Sequence, residues 1–185
     1  MAEKKGGKTV RHISTNIEHN KRAAAPINAA VITLSTSRAR DKEPAMDKSG
    51  DIIQELFEKQ GYPVVARELL PDGKMCLRAA VQRLVRDENV HVIITTGGTG
   101  LSPTDVTIEA VRTLLEKELP GFAALFTQLS YGQVKSAAIL SRAIAGSING
   151  KIIFCLPGSP RACELAMELI ILPELGHIFN MLRGQ

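Results

Sequence analysis

The feature that most constrains the fold is a nearly uninterrupted run of apolar and β-branched residues at positions 90–96 (VHVIITT). A half-exposed strand alternates apolar and polar residues, whereas a central strand of a parallel sheet is covered on both faces and stays apolar. A glycine-rich segment and then a helical pattern follow this run, which is the order of a strand–loop–helix unit. The run therefore predicts an α/β fold built around a buried parallel strand.

Strand and helix patterns alternate along the rest of the chain. Two extended segments flank Asn149-Gly150, which is typical of a tight β-hairpin. The fold class that we predict is three-layer α/β: a mostly parallel sheet with one antiparallel hairpin strand and helices on both faces. We predict strands at 28–35, 64–70, 90–96, 142–148 and 151–156, a loop at 36–48, and helices at 49–61, about 77–85, 107–119, 120–131, 160–171 and from 173.

The positive charge of the chain lies at its beginning. The formal net charge is +4, and residues 1–27 contain six Lys or Arg against two Glu. We expect residues 1–27 to form a basic, poorly ordered tail, with weak contact to an acidic partner or another subunit as the alternative. Residues 28–185 are expected to form a single domain. Their balanced charge, and an aromatic content of only 4%, argue against binding of nucleic acid.

The sequence also bears on location in the cell. The first residues contain no apolar stretch typical of an export signal. No apolar run approaches the roughly 20 residues that span a membrane. We therefore expect a cytoplasmic protein without a membrane partner.

A glycine loop follows the central strand: residues 95–105 read TTGGTGLSPTD. Glycines allow successive backbone N–H groups to turn toward an anion. A Walker A loop would need Gly-Lys-Ser/Thr, and the dinucleotide-binding motif would need a third glycine where Pro103 stands. The loop itself is consistent with either phosphate binding or a plain tight turn.

Two acidic residues follow neighbouring predicted strands. Asp72 and Asp105 are expected at the same edge of the sheet, together with the loop at 157–160, because ligands of such sheets bind beyond the carboxyl ends of the strands. Two carboxylates beside a phosphate-binding loop can hold Mg²⁺, which prefers oxygen ligands. The alternatives are that Asp72 is only a turn residue and that Asp105 only caps a helix.

The combined motifs resemble the MoaB/MogA family of molybdenum cofactor biosynthesis proteins. The resemblance rests on ITTGGTGLSPTDVTIEA, on Leu140-Ser141-Arg142, on Asp47-Lys48-Ser49-Gly50 and on the Pro-Gly-Ser-Pro loop, and it covers residues 28–175. FCLPGSPRACELAMELIIL is closer to the MoaB branch. The sequence departs from the family at Thr104, where many members carry arginine, and at Ile108, where proline is common.

The resemblance implies a molybdopterin-binding fold and a nucleotidyltransferase activity, with MgATP adenylylating the terminal phosphate of molybdopterin and pyrophosphate released. It implies that Asp72 and Asp105 are catalytic and hold the metal. Asp72 favours activity, since some MoaB-branch members lack this acid. The implied binding residues for ATP and molybdopterin are Thr96, Gly97, Gly98, Thr99, Gly100, Ser141, Pro157, Gly158 and Ser159.

Other functions fit the same resemblance. The first alternative is a molybdopterin carrier or scaffold that does not turn over, and the second is a regulatory domain of the CinA-like type. The family further implies a homotrimer or homohexamer and a MoeA-type molybdenum insertion protein as a partner. The sequence leaves open whether molybdenum or tungsten is inserted downstream.

Overall fold

Six strands form one mixed sheet in the part of the chain that the computed structural model describes, residues 27–41 and 47–184. They are β1 (Ala29–Leu34), β2 (Val64–Leu70), β3 (Val92–Thr96), β4 (Lys117–Glu118), β5 (Ile144–Ile148) and β6 (Lys151–Leu156). Their order across the sheet is β2-β1-β3-β6-β5-β4. The pairs β1–β2, β1–β3 and β3–β6 are parallel, whereas β5–β6 and β4–β5 are antiparallel. The run at 90–96 therefore supplies a central, fully buried strand, as predicted.

Helices cover both faces of the sheet. They are α1 (Thr36–Asp41), α2 (Lys48–Lys59), α3 (Lys74–Arg86), α4 (Thr107–Arg112), α5 (Pro120–Val134), α6 (Pro160–Ala166) and α7 (Leu172–Leu182). A 3₁₀ helix, Lys135–Leu140, follows α5, and a π-helical turn, Met167–Ile171, joins α6 to α7. The three-layer arrangement confirms the predicted fold class.

The alternation of side chains along β1 divides the core into two clusters. Val31 packs on one face with side chains of α2, α5, α6 and α7, including the fully buried Phe57 and Phe126. Ile32 packs on the other face with α3 and α4, including Leu77. The parallel strands β2, β1, β3 and β6 all present their carboxyl ends at one edge of the sheet. The two clusters hold this edge in place, because both bury apolar side chains against the same sheet.

The hairpin forms at the predicted position. Asn149 and Gly150 have φ values of 46° and 71°, the left-handed pair that a tight hairpin turn requires. β6 joins the parallel part of the sheet through β3, and β5 lies next to the edge strand β4. The antiparallel element therefore completes the sheet on the side away from β2.

Two predictions before residue 120 are wrong. Residues 36–41, predicted as part of a loop, form α1. This helix forms because Asp72, 36 positions further along the chain, accepts hydrogen bonds from its first residue, Thr36. Residues 42–46 of the predicted loop lie outside the described part. The helix predicted to reach residue 119 ends at Arg112. Further along, Lys117–Glu118 form β4. This strand forms because the residues on either side of it, Glu116 and Leu119, donate backbone hydrogen bonds to β5 at 2.9 and 2.7 Å.

The C-terminal helical region is continuous from Pro160 to Leu182, where two separate helices were predicted. The π-helical turn precedes Pro173, a residue without an amide hydrogen for the regular helical ladder. By length and composition this 23-residue helix could cross a membrane. Its buried apolar side chains, including the fully buried Met167 and Leu175, instead belong to the core cluster on one face of the sheet.

One residue of the predicted tail is buried. Ile27 was assigned to the tail, but its side chain is fully buried in the core cluster around β1. The rest of the predicted tail lies outside the described residues.

Candidate functional site

A cavity of about 430 Å³ opens at the carboxyl edge of the parallel strands. The loops after β1, β2, β3 and β6 meet here, so the three loops expected to converge do so. Its wall includes both predicted acidic residues and most of the glycine loop. The lining residues are Leu34, Ser35, Arg38, Asp72, Gly97, Gly98, Thr99, Gly100, Asp105, Leu140, Pro157 and Gly158.

Close backbone approach requires the first two glycines of the loop. Gly97 has a φ of 97°, and a Cβ atom placed there would lie 2.3 Å from the carbonyl oxygen of Leu34. Gly98 has a φ of 64°, and its Cβ would lie 2.6 Å from the Thr107 hydroxyl. Both conformations are left-handed, where side chains are disfavoured. The glycines thus allow the loop to pass directly over the end of β1 and the start of α4.

The carbonyl groups of the loop are held while its amides remain available. The hydroxyl and the amide of Thr107 donate to the carbonyls of Gly97 and Gly98 at 2.8 and 2.9 Å. Thr107 is the first residue of α4, and its side chain holds the loop. Within residues 27–41 and 47–184, the amides of Gly98, Thr99 and Gly100 donate to no acceptor. The loop can therefore offer successive N–H donors to an anion.

The two acidic residues border this loop. Asp72 Oδ2 accepts hydrogen bonds from the Thr36 amide at 2.9 Å and the Thr36 hydroxyl at 2.7 Å. Asp105 Oδ2 accepts one from the Ser102 amide at 2.9 Å. A Cβ on Gly98 would lie 3.5 Å from Asp72 Oδ1, and one on Gly100 would lie 2.7 Å from Asp105 Oδ2. Asp72 thus holds the start of α1 and Asp105 shapes a local turn, and both carboxylates face the loop.

Arg38 is a lining residue that the sequence analysis missed. Among the described residues of the cavity wall it alone carries a positively charged side chain. Its Nη1 atom lies 3.9 Å from Asp47 Oδ1, and the side chain is 38% exposed. This contact is long for an ion pair, so the guanidinium is largely uncommitted. The sequence predicts a loop for the segment that carries Arg38. The contact between Asp72 and the first residue of α1 brings this arginine to the cavity.

Asp47 forms a buried hydrogen-bond network behind the cavity. Its carboxylate accepts from the Thr33 hydroxyl at 2.6 Å, the Gly50 amide at 3.1 Å and Arg67 Nη2 at 3.0 Å. Burial alone would raise the pKa of Asp47, but these hydrogen bonds and the charge of Arg67 hold it below its ordinary value of 3.8. Asp47 therefore caps α2 and fixes it to the sheet.

We expect Asp47→Asn to destabilise the protein by about 2 kcal/mol at neutral pH, because Arg67 and Thr33 lose a charged acceptor. A lowered folded-state pKa means that the charged form stabilises above pH 3.8, and that this stabilisation disappears as the pH falls below that value. Urea unfolding at several pH values should show a smaller acid-induced loss in the variant. Asp51→Asn is the matched control, because Asp51 is a half-exposed partner of Arg67. This substitution should lower the free energy of unfolding by less than about 1 kcal/mol. An unchanged acid dependence in Asp47→Asn would contradict the assignment.

Thr96 lies beneath the cavity rather than in its wall. It is fully buried, and its hydroxyl donates to the Pro157 carbonyl at 2.9 Å. Ser49, from the Asp47-Lys48-Ser49-Gly50 motif, donates to the Gly158 carbonyl at 2.8 Å. The two hydroxyls hold the Pro157-Gly158 backbone against the glycine loop, where a Cβ on Gly158 would lie 3.3 Å from Gly97 Cα. Thr96 thus positions a loop, although a ligand contact was predicted.

A second cavity of about 680 Å³ adjoins the first and shares Leu140 and Pro157 with it. Ser141 and Ser159, which were predicted to bind ligand, line this second cavity and not the first. Its wall mixes hydroxyl, amide and charged groups with apolar side chains, a surface suited to a polar ring system. The lining residues are Ser130, Gln133, Val134, Ala137, Leu140, Ser141, Pro157, Ser159, Arg161, Ala162 and Glu164.

Comparison with known proteins points to one family. Residues 30–177 match the family described as a probable molybdopterin binding domain. The chain is 44% identical over 169 residues to molybdenum cofactor biosynthesis protein B of Bacillus cereus, covering 91% of this chain and 98% of that protein. It is 42% identical to a probable molybdopterin adenylyltransferase of Methanocaldococcus jannaschii, covering 85% and 94%. A crystal structure of a molybdenum cofactor biosynthesis protein B superposes with a TM-score of 0.83 at 42% identity, covering 89% of this chain and all of that one.

Proposed function

The chain belongs to the MoaB family of molybdenum cofactor biosynthesis proteins, and we propose that it is the nucleotidyltransferase that adenylylates molybdopterin. In this reaction the terminal phosphate of molybdopterin attacks the α-phosphorus of ATP. A new P–O bond forms, the bond to the β-phosphate oxygen breaks, and pyrophosphate leaves. The observation that carries the proposal is the cavity in which the glycine loop, Asp72 and Asp105 meet beside a second, larger cavity.

The chemistry explains why a site without histidine can serve. A phosphate monoester has a second pKa of about 6, so at neutral pH it is largely dianionic and needs no general base. The difficulty is to bring this dianion up to the negatively charged ATP. In the described residues of the cavity wall, the amides of Gly98, Thr99 and Gly100 and the guanidinium of Arg38 are the groups that can offset this charge. These groups would be most effective as charge develops on the leaving pyrophosphate.

The cavity also fits a magnesium ion. Carboxylate oxygens are the ligands that Mg²⁺ prefers, and Asp72 and Asp105 both border the glycine loop. Within the described residues no group of three or more His, Cys, Asp or Glu could hold a metal, so the ion would take its remaining ligands from phosphates and water. Asp72 and Asp105 would hold the ion, which would neutralise phosphate charge when bound.

The second cavity suits the pterin. It borders the first through Leu140 and Pro157, so a ligand in it would have its phosphate within reach of the glycine loop. Ser141 and Ser159 offer hydroxyls to such a ligand. We assign Ser141 to the pterin phosphate, and Pro157, Gly158 and Ser159 to the wall between the two substrates.

The decisive experiment is to incubate the protein with molybdopterin and MgATP and to measure adenylylated pterin and pyrophosphate by mass spectrometry. We expect both products in equal amounts, and none when magnesium is chelated. Bound molybdopterin without any adenylylated product would overturn the enzyme and identify a carrier protein. Failure to bind molybdopterin at all would contradict both functions.

The family membership supports three further proposals about the protein in the cell. We place it in the cytoplasm, as a homotrimer or homohexamer. A MoeA-type molybdenum insertion protein would receive its adenylylated product. The dithiolene of the adenylylated molybdopterin would then accept the metal oxyanion.

A further inference from the structure

Arg142 joins three separate parts of the site. It is the last residue of the Leu140-Ser141-Arg142 segment and precedes β5. Its Nη1 atom donates to the carbonyl of Gly100 at 2.8 Å, and its Nη2 atom forms an ion pair with Glu109 in the first turn of α4. The side chain is only 27% exposed, so these contacts are partly shielded from water. One guanidinium therefore connects the end of the glycine loop, the helix after it and the strand beside the second cavity.

The two ends of the glycine loop are held by different residues. Thr107 holds the carbonyls of Gly97 and Gly98, as described above. In the described part of the chain, the Gly100 carbonyl receives its hydrogen bond from Arg142. Because a peptide group is planar, holding this carbonyl also fixes the direction of the next amide. Arg142 thus orients the half of the loop that lies closest to Asp105.

The ion pair with Glu109 keeps the guanidinium in place. The hydrogen bond from Arg142 holds the pKa of Glu109 below its ordinary value of 4.5, so the pair is charged at neutral pH. The planar guanidinium of arginine can donate hydrogen bonds to the carbonyl and to the carboxylate at the same time, whereas the ammonium of lysine is a single point charge. Arginine is therefore the residue suited to this position.

The same segment reaches the second cavity. Leu140 lines both cavities, and Ser141 lines the second one. We propose that Arg142 is a positioning residue that holds the glycine loop in its phosphate-binding conformation and ties that loop to the wall of the second cavity. The assignment rests on the proposed function, in which the loop binds the phosphates of ATP.

The test compares Arg142→Gln and Arg142→Lys with the wild type. In the glutamine variant we expect the KM for ATP to rise at least about tenfold, with a smaller change in kcat and with molybdopterin affinity within about twofold. The lysine variant should recover part of the ATP affinity, since it keeps the charge. Arg112→Gln is the matched control, because Arg112 lies on α4, pairs with Glu118 through two contacts at 3.0 and 3.2 Å and acts on Glu109 only through its charge. It should leave all of these quantities unchanged.

A second measurement does not depend on turnover. Hydrogen exchange of the Ser102 and Asp105 amides, which donate to the Asp105 carboxylate and to the Ser102 carbonyl, reports on the order of the half of the loop that Arg142 holds. We expect this exchange to accelerate about tenfold in Arg142→Gln and not in Arg112→Gln. If Arg142→Gln does not fold, Glu109→Gln, which removes only the ion pair, should accelerate the same exchange to a smaller degree.

The possible failures can be told apart. Wild-type protein that forms no adenylylated pterin would overturn the proposed function, while the exchange of the Ser102 and Asp105 amides would still decide the role of Arg142. Unchanged exchange and an unchanged KM for ATP in Arg142→Gln would overturn the positioning role. Equal loss of ATP and molybdopterin binding, without recovery in Arg142→Lys, would also overturn it and indicate a purely structural side chain.

Discussion

Replacing Asp72 with asparagine is expected to lower adenylyl transfer at least about 100-fold while molybdopterin still binds within about twofold of wild type. Asp72 borders the glycine loop but not the second cavity, where we place the pterin. In the proposed function its negative charge holds a cation against the phosphates of ATP. Binding of the pterin ring needs no such cation. The variant should therefore lose adenylyl transfer and keep its affinity for molybdopterin.

The asparagine variant is chosen because it preserves the local structure. The Thr36 amide and hydroxyl both donate to Asp72 Oδ2, and the amide oxygen of asparagine can accept the same hydrogen bonds. α1 and Arg38 should therefore stay in place, and only the charge is removed. Asp87→Asn, at the other end of α3, is the matched control and should retain full turnover. Turnover and equilibrium binding of molybdopterin measure the effect, and full turnover in Asp72→Asn would remove Asp72 from the metal site.

The second large effect is expected from Gly97→Ala. The variant should lose ATP binding and about 3 kcal/mol or more of unfolding free energy, because it combines a left-handed backbone with a steric clash. The φ of Gly97 is 97°, and the new Cβ would lie 2.3 Å from the Leu34 carbonyl oxygen. A backbone oxygen at the end of a strand that is paired with β2 cannot move aside as a flexible side chain can. The loop must therefore leave the end of β1 and carry its amides away from the cavity.

Two glycine controls separate the causes. Gly150 has a φ of 71° but no atom within 4 Å of an added Cβ, so Gly150→Ala measures the backbone strain alone, about 1–2 kcal/mol. Gly132 lies exposed within α5 with the same free space, and Gly132→Ala should stabilise the protein by up to about 1 kcal/mol. Thermal and urea unfolding of the three variants test this order. If Gly97→Ala costs no more than Gly150→Ala, close packing against Leu34 is not the reason for the glycine.

Local patterns in the sequence were sufficient for much of the architecture. The apolar run at 90–96 indicated a buried central strand because only a strand covered on both faces remains apolar throughout. Asn149-Gly150 indicated the hairpin because this pair tolerates left-handed backbone. The expected meeting of Asp72, Asp105 and the glycine loop followed from the rule that parallel strands present their carboxyl ends at one edge. Each of these conclusions depends on neighbouring residues or on a general property of the fold.

Other features depend on contacts between distant residues, and the sequence could not reveal them. α1 forms where Asp72 caps its first residue, and this brings Arg38 to the cavity. The chain after Arg112 leaves its helical pattern because β5 offers a free edge with which to pair. Arg142 appeared in a family motif, but only the structure shows its contacts with Gly100 and Glu109.

The sequence alone thus determined five of the six described strands, the edge of the sheet that carries the candidate site and the family to which the chain belongs. The tertiary structure decided which side chains face the cavity, that Thr96 and Thr107 support the loop, and that Ser141 and Ser159 line a second cavity. The physical reason is that secondary structure follows from periodicity and backbone preferences over a few residues. The direction of a side chain depends instead on hydrogen-bond partners that folding brings from 10 to 109 positions away.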